Sequence, residues 1–234
     1  MHNIYFNGKA GKDCNLFVSG EATFDAPEKE VERVSIPGRN GDILISQNRY
    51  KNVTVRYPAF IPRGLKANAH ALRAWLMSAP LYSQLTDDYH PEYFRLASFL
   101  GPMEFDTRFL NFSAEIELSF DAKPQRLRLD GLRGVSFSKA GALFNPERFA
   151  ALPLITLTGS GAGNLTIGEI PVKVKQLNGS LVLDCETMNA YSGLQNKNMD
   201  IEAPEFPALL PGENKIGFSG GIQKVEIVPR WWTI

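Results

Sequence analysis

Eight consecutive residues, Ser113 to Phe120, alternate without a break. Ala114, Ile116, Leu118 and Phe120 share one face; Ser113, Glu115, Glu117 and Ser119 share the other. Successive side chains of a strand point to opposite faces, so this pattern specifies a strand with one dry side and one wet side. Such a strand belongs in an antiparallel sheet covered on one face only. A chain built around it must supply something apolar to cover that face.

One segment can. From Gly64 to Ser78, Leu65, Ala69, Leu72 and Leu76 recur at the spacing of one helical stripe. Ala71 and Trp75 widen the stripe, and Lys66, Asn68 and Arg73 take the other side. Pro80 stops the helix, because it lacks an amide donor and disfavours helix in the residue before it. A helix with so broad an apolar face must lie on a sheet or on a neighbouring subunit.

The rest of the first half reads as short strands. Val31–Ile36 runs into Pro37-Gly38-Arg39-Asn40-Gly41-Asp42, a dense cluster of turn residues, and Ile43-Leu44-Ile45 resumes. That order predicts a hairpin-type connection. Asn52–Tyr57 is a strand rich in β-branched residues, and Pro58 demotes its far end to an edge or an exit. Leu81–Leu85 and Tyr93–Ala97 are further strands.

Lys123–Gly131 is polar and basic with a central proline, and Gly134 and Gly141 follow. This shift predicts a domain break, giving residues 1–130 and 131–234, to within about ten residues. The second domain reads as all β. Its strands are Leu152–Thr158, Asn164–Ile167, Ile170–Lys175, Leu181–Asp184, Lys215–Phe218 and Val225–Val228. Asn178-Gly179 is the strongest two-residue hairpin signal in the chain. Short strands separated by turn signals point to a β-sandwich. The expected fold class is therefore mainly β with a minor α component.

Charge narrows the function. Lys+Arg is 25 and Asp+Glu is 25, so the formal net charge is zero. This argues against a basic surface that grips phosphates and against a polybasic membrane anchor. Weak self-repulsion suits a protein that sits inside an assembly. Apolar residues at 44% against 21% charged place the chain among folded proteins rather than disordered ones. No stretch nears the roughly 18 apolar residues of a membrane span. Met1–Gly8 lacks a basic region followed by an apolar run. Synthesis in a cytosol, or exit by a leaderless route, is expected.

The chemical motifs are weak. Gly159-Ser160-Gly161-Ala162-Gly163 has no lysine and precedes a strand, so it reads as a hairpin loop rather than a phosphate cradle. Asp87-Asp88-Tyr89-His90 reads as a solvated turn, because no second cluster would complete a metal shell. His70 has no marked partner and reads as a surface or interface residue. Cys14 and Cys185 read as two unpaired thiols. In Asp184-Cys185-Glu186 the flanking carboxylates would raise the thiol pKa, the wrong direction for a nucleophile. The terminal pair Trp231-Trp232 could close the sandwich core, anchor an interface or stack on sugars. No catalytic residue, metal site or cofactor is expected.

Taken in order, several segments resemble the distal tail proteins (Dit) of long-tailed, non-contractile bacteriophages. These are Ser35-Ile36-Pro37-Gly38-Arg39-Asn40-Gly41-Asp42, the helix around Ala71–Leu76 with Trp75, and the strand Ser113–Phe120. Asn145-Pro146, Phe149, Pro153-Leu154-Ile155, Gly159-Ser160-Gly161, Asp184-Cys185-Glu186 and Ala190-Tyr191 follow. Phe206-Pro207, Leu210-Pro211-Gly212-Glu213-Asn214 and Pro229-Arg230-Trp231-Trp232 complete the set. The resemblance runs nearly end to end, and its specificity lies in order and spacing.

The resemblance implies an N-terminal belt domain that closes into a hexameric ring, and a galectin-like C-terminal sandwich outside it. It implies as partners other copies of the chain, the major tail protein of the tube, and the tail-associated fibre or lysin protein. In many such phages the outer domain also attaches a receptor-binding protein. DNA and the tape measure pass through the lumen without specific binding, and no membrane is engaged. The location implied is the distal tail tip of a virion assembled in a bacterial cytoplasm. A carbohydrate-binding sandwich is the alternative. A glycan hydrolase would need two carboxylates roughly 5–10 Å apart in a cleft, and no feature selects such a pair.

Overall fold

The computed structural model describes residues 2–19 and 26–234. The chain divides into two compact units, Met1–Arg126 with Ile234, and Leu127–Thr233. It is mainly β with one α-helix.

The first unit runs β1 (Ile4–Phe6), β2 (Lys9–Ala10), β3 (Phe17–Val18), β4 (Lys29–Val34), β5 (Ile43–Tyr50) and β6 (Val53–Ile61). It continues through α1 (Leu65–Met77), β7 (Ser83–Asp87), β8 (Tyr93–Phe99), β9 (Asp106–Arg108) and β10 (Ser113–Ala122). Its main sheet has the order β2-β1-β7-β8-β10-β6-β3, with β9 added along β10. Every pairing on this path is antiparallel.

The alternating strand behaves as its pattern requires. In β10, Ala114, Ile116, Leu118 and Phe120 are buried, and Glu115 and Glu117 are exposed. The face is covered by α1, which buries Leu65, Ala69, Leu72, Trp75 and Leu76 in the same core. Each fully buried Leu or Phe side chain contributes about 1.5–3 kcal/mol. Ala71 is exposed, so the stripe is narrower than expected and turns toward Trp75. The Trp75 indole donates to the Phe6 carbonyl at 3.0 Å and ties helix to sheet. Phe120 collects Phe6, Phe99 and Tyr57 edge-on at 5.1, 5.4 and 6.0 Å.

Pro58 corrects one expectation, since β6 runs straight through it to Ile61. The reason is direction. In an antiparallel ladder the N–H and C=O of one residue point to the same neighbour. The Pro58 carbonyl accepts from Ser19 N–H at 2.8 Å, on the side of the short β3. The missing donor therefore faces that side and leaves the long ladder with β10 intact.

After β11 (Arg126–Arg128), which spans the division, the second unit holds β12 (Val135–Phe137), β13 (Gly141–Asn145), β14 (Leu154–Ile167) and β15 (Ile170–Asp184). Then come β16 (Asn189–Ser192), β17 (Gln195–Asn196), β18 (Ile201–Glu202), β19 (Gly212–Val228) and β20 (Trp232–Thr233). The order is β12-β19-β14-β15-β16-β17, with β13 on β19 and β18 on β15.

Six expected short strands are three long ones. Leu152–Thr158 and Asn164–Ile167 lie in β14; Ile170–Lys175 and Leu181–Asp184 lie in β15; Lys215–Phe218 and Val225–Val228 lie in β19. Both halves of each strand feed one core: Ile155 and Ile167, Val172 and Leu183, Ile216 and Ile227 all belong to it. The strands therefore fold over themselves into a sandwich. Gly159–Gly163 is the corner rather than a hairpin loop, with ladder shifts against both β15 and β19. Crowding explains the small residues. A Cβ on Gly221 would sit 2.1 Å from the Ser160 carbonyl oxygen. Asn178-Gly179 is likewise inside β15, opposite Ser160 and Gly159. The actual turn follows Ile167, which pairs with Ile170.

Candidate assembly surface

The β4–β5 hairpin stands out by what it lacks. Among the described residues the two strands pair only with each other, as a separate two-stranded sheet in the register Val34↔Ile43, Arg33↔Leu44, Glu32↔Ile45 and Val31↔Ser46. Val31, Ile36, Ile43, Leu44 and Ile45 are all exposed, Leu44 by 58%. An isolated hairpin is marginal in water at best. By this register Ile43 and Ile45 lie on one face and Leu44 and Val31 on the other, so the hairpin leaves apolar side chains in water on both faces. Pro37, Gly38, Arg39, Asn40, Gly41 and Asp42 form the exposed connection at its far end. Gly38 and Gly41 take φ of 80° and 81°, which side-chain-bearing residues rarely adopt.

A second surface lies on the wet face of β10. A groove of about 740 Å³ is lined by Pro58 and Phe60 of β6, Phe105 and Asp106, and Glu115 and Glu117 of β10, with Glu104 at its edge. Glu115 stands opposite Phe60 on one side and Asp106 on the other, and Glu117 stands opposite Pro58. The Arg108 guanidinium serves both Asp106 (2.7 Å) and Glu115 (3.7 Å), and Arg56 lies 3.9 Å from Glu117. Carboxylates outnumber the cations beside them. The sequence signalled half of this groove, through Glu115 and Glu117 on the polar side of the alternating run. Phe105 and Phe60 carried no signal.

A third feature was also unsignalled. Phe109, Leu110 and Phe112 are exposed, and Phe109, Leu110 and Asn111 all have positive φ. Bulky residues in that region store strain, which clusters at functional loops.

The remaining motif residues hold the fold. Trp75 is 5% exposed and bonded to β1. Buried Pro153 offers its carbonyl to Cys185 N–H at 3.1 Å. Exposed Pro211 leads into β19, where Gly212 starts the strand. Buried Asn214 accepts from Leu210 N–H at 2.8 Å and donates to the Leu210 and Gly212 carbonyls, closing that turn. Pro229 is buried, and Arg230 donates to Asp184 at 2.6 Å and to Glu186 at 3.2 Å. Burial pushes the Asp184 carboxyl up, but the Arg230 hydrogen bond and charge outweigh it and hold it below the usual range. Trp231 is in the core; Trp232 stacks on Phe149 at 4.5 Å and donates to the Ala150 carbonyl. Trp231, buried in the core, has no bare face for a sugar, and one face of Trp232 is taken by Phe149.

The polar clusters are also structural. Asp87 accepts from Tyr57 Oη at 2.7 Å and from the Tyr89 and His90 amides, so the Asp87–His90 turn is knitted rather than merely solvated. Burial, then the Asp87 charge, pushes the Tyr57 phenol far up, so it keeps its proton. Arg95, 8% exposed, donates to the Lys123 and Pro124 carbonyls; burial, then Arg126, pushes it down to about 10. Burial, then Asp184, pushes the Cys185 thiol up to about 12, and burial raises Cys14. His70 is exposed on α1. No group of three or more His, Cys, Asp or Glu among the described residues could hold a metal ion. No helix among them is long and apolar enough to cross a membrane.

Fold and surface define a class: a mainly β, two-unit protein with a hairpin that, among the described residues, joins no larger sheet. Among solved structures, the SPP1 Dit (gp 19.1) protein, a paradigm of the hub adsorption apparatus in phages infecting Gram-positive hosts, aligns with all of this chain and all of its own at TM-score 0.75 and 11% identity. The chain thus shares the fold of a distal tail hub protein, as its motifs implied. The phage P2 baseplate in its activated conformation aligns over 97% of both chains, with Ca at TM-score 0.49 and 6% identity, and with Sr at 0.48 and 7%. No family model and no curated protein matches the chain.

Proposed function

We propose that this chain is a structural protein of the distal tip of a long, non-contractile phage tail, in a free virus or a prophage. Copies close into a hexameric ring through residues 1–130, and residues 131–234 form a galectin-like domain on its outside. The ring joins the tail tube protein on one side to the tail-associated fibre or lysin protein on the other. Receptor-binding proteins attach to the outer domain. DNA crosses the lumen without being held, which the zero net charge suits.

One observation carries this reading: a chain with the fold of a tail hub protein carries a hairpin that, among the described residues, pairs only with itself and leaves apolar side chains exposed. The test is mass photometry and negative-stain microscopy of the purified protein, alone and with the cognate tube and fibre proteins. Six-copy rings with an open centre are expected. Single copies under every condition would overturn the reading.

A further inference from the structure

We propose that a cavity in the first unit, beside the Arg95 guanidinium, is a binding site for a small monovalent anion such as chloride. The cavity measures about 30 Å³, room for one halide ion or about two waters. Its polar lining includes Tyr57 of β6, Asp87 and His90 at the end of β7, Arg95 of β8, and Arg126. The site needs only one folded copy, so it stands apart from the ring reading.

Arg95 carries the argument. It is 8% exposed, so its charge lies out of bulk water. Its Nη1 donates to the Lys123 and Pro124 carbonyls at 3.3 and 3.0 Å. A guanidinium has further N–H donors on Nε and Nη2. On Arg95 these meet no acceptor among the described residues, and neither nitrogen is sealed off by protein atoms. What they face is the cavity that Arg95 lines. Buried donors left unmade are costly, more so on a charged group, and a bound water or ion is the usual reason for them.

Charge decides between those two. Two guanidiniums line the cavity against one carboxylate. That carboxylate, Asp87, already accepts from Tyr57 Oη and from the Tyr89 and His90 amides, and lies 3.7 Å from His90 Nδ1. Arg126 has interactions of its own, yet its field reaches Arg95: after burial, it is the main cause that holds Arg95 down at about 10. Water would accept the spare hydrogen bonds and leave that repulsion in place. An anion accepts them and offsets both burial and repulsion. Two cations against one carboxylate, with His90 neutral, leave a single positive charge. That selects a monovalent ion, and the volume suits a halide.

Melting in sodium chloride against sodium gluconate at equal ionic strength separates a bound ion from general screening. The melting temperature should climb with the logarithm of chloride concentration, as for any ligand that binds only the folded state. Arg126→Gln should need at least roughly tenfold more chloride for the same rise. Arg95→Lys keeps the charge and loses the planar fork, and should behave likewise. Circular dichroism in gluconate checks that both variants fold. Crystals grown in sodium bromide should show an anomalous peak within hydrogen-bonding reach of Arg95 Nε or Nη2. Ordered water there with no bromide peak would overturn the proposal. So would a chloride response that both variants keep in full, since the ion then binds elsewhere. If neither variant folds, the bromide peak alone decides. None of these outcomes bears on the ring reading.

Discussion

Trp75→Phe isolates the bond that fastens α1 to the sheet. The indole N–H lies 3.0 Å from the Phe6 carbonyl, and both residues are buried. Phenylalanine keeps most of the ring's packing and deletes the donor. The stranded carbonyl costs about 1–3 kcal/mol. The smaller ring adds part of the 3–5 kcal/mol that full truncation of a buried aromatic costs, so the total is about 2–3 kcal/mol. A unit of this size unfolds with an entropy near 0.26 kcal/mol/K, so its transition should fall by roughly 8–12 °C. Scanning calorimetry of the full chain reads the shift. Hydrogen exchange on peptides from Ile4–Ala10 and α1 assigns it to the first unit, since Trp231 and Trp232 lie in the second. His70→Ala, on the exposed side of the helix, is the control and should stay within about 0.5 kcal/mol. A Trp75→Phe transition within a degree or two of the unaltered protein would refute the claim that this bond holds the helix.

Two more outcomes follow from the second unit. Gly221→Ala should destabilise it by about 1–3 kcal/mol in urea melts, since the new Cβ meets the Ser160 carbonyl oxygen, whereas Gly217→Ala, with only the Thr166 Cβ at 3.9 Å, should cost less than about 1 kcal/mol. Asp184 has a depressed folded-state pKa, so its contribution is present above the unfolded carboxyl value and is lost as pH falls through the lower folded value. Arg230→Gln should therefore lower urea stability at neutral pH, with the gap to the unaltered protein narrowing in acid below the ordinary carboxylate range; a gap that widens in acid would sink the pairing.

What was legible in the sequence was local. Ser113–Phe120 and Leu65–Leu76 announce their faces because side-chain direction repeats within a few residues. Gly159–Gly163 and Asn178-Gly179 misled for a stated reason. Residues that tolerate positive φ serve hairpin turns and strand corners equally, and only the pairing across β14, β15 and β19 tells them apart. Pro58 misled because the direction of its missing donor depends on which neighbour is short. Of the groove only Glu115 and Glu117 were legible, as the polar side of the alternating run, since Phe60 and Phe105 join them only through tertiary pairing. The apolar hairpin was visible as two strands and a turn, but not as strands without a sheet.

The long β19 has a consequence for synthesis. β12, β13 and β14 all pair with it, yet every one of them precedes it in the chain. As the polypeptide leaves the ribosome, β14 and β15 can zip together early, because they are adjacent. One flank of β14 then waits, its backbone unpaired and its apolar side chains wet, until β19 emerges. Pairings so distant in sequence form slowly. In that interval the nascent sandwich is open to the edge-to-edge sticking that its finished form avoids.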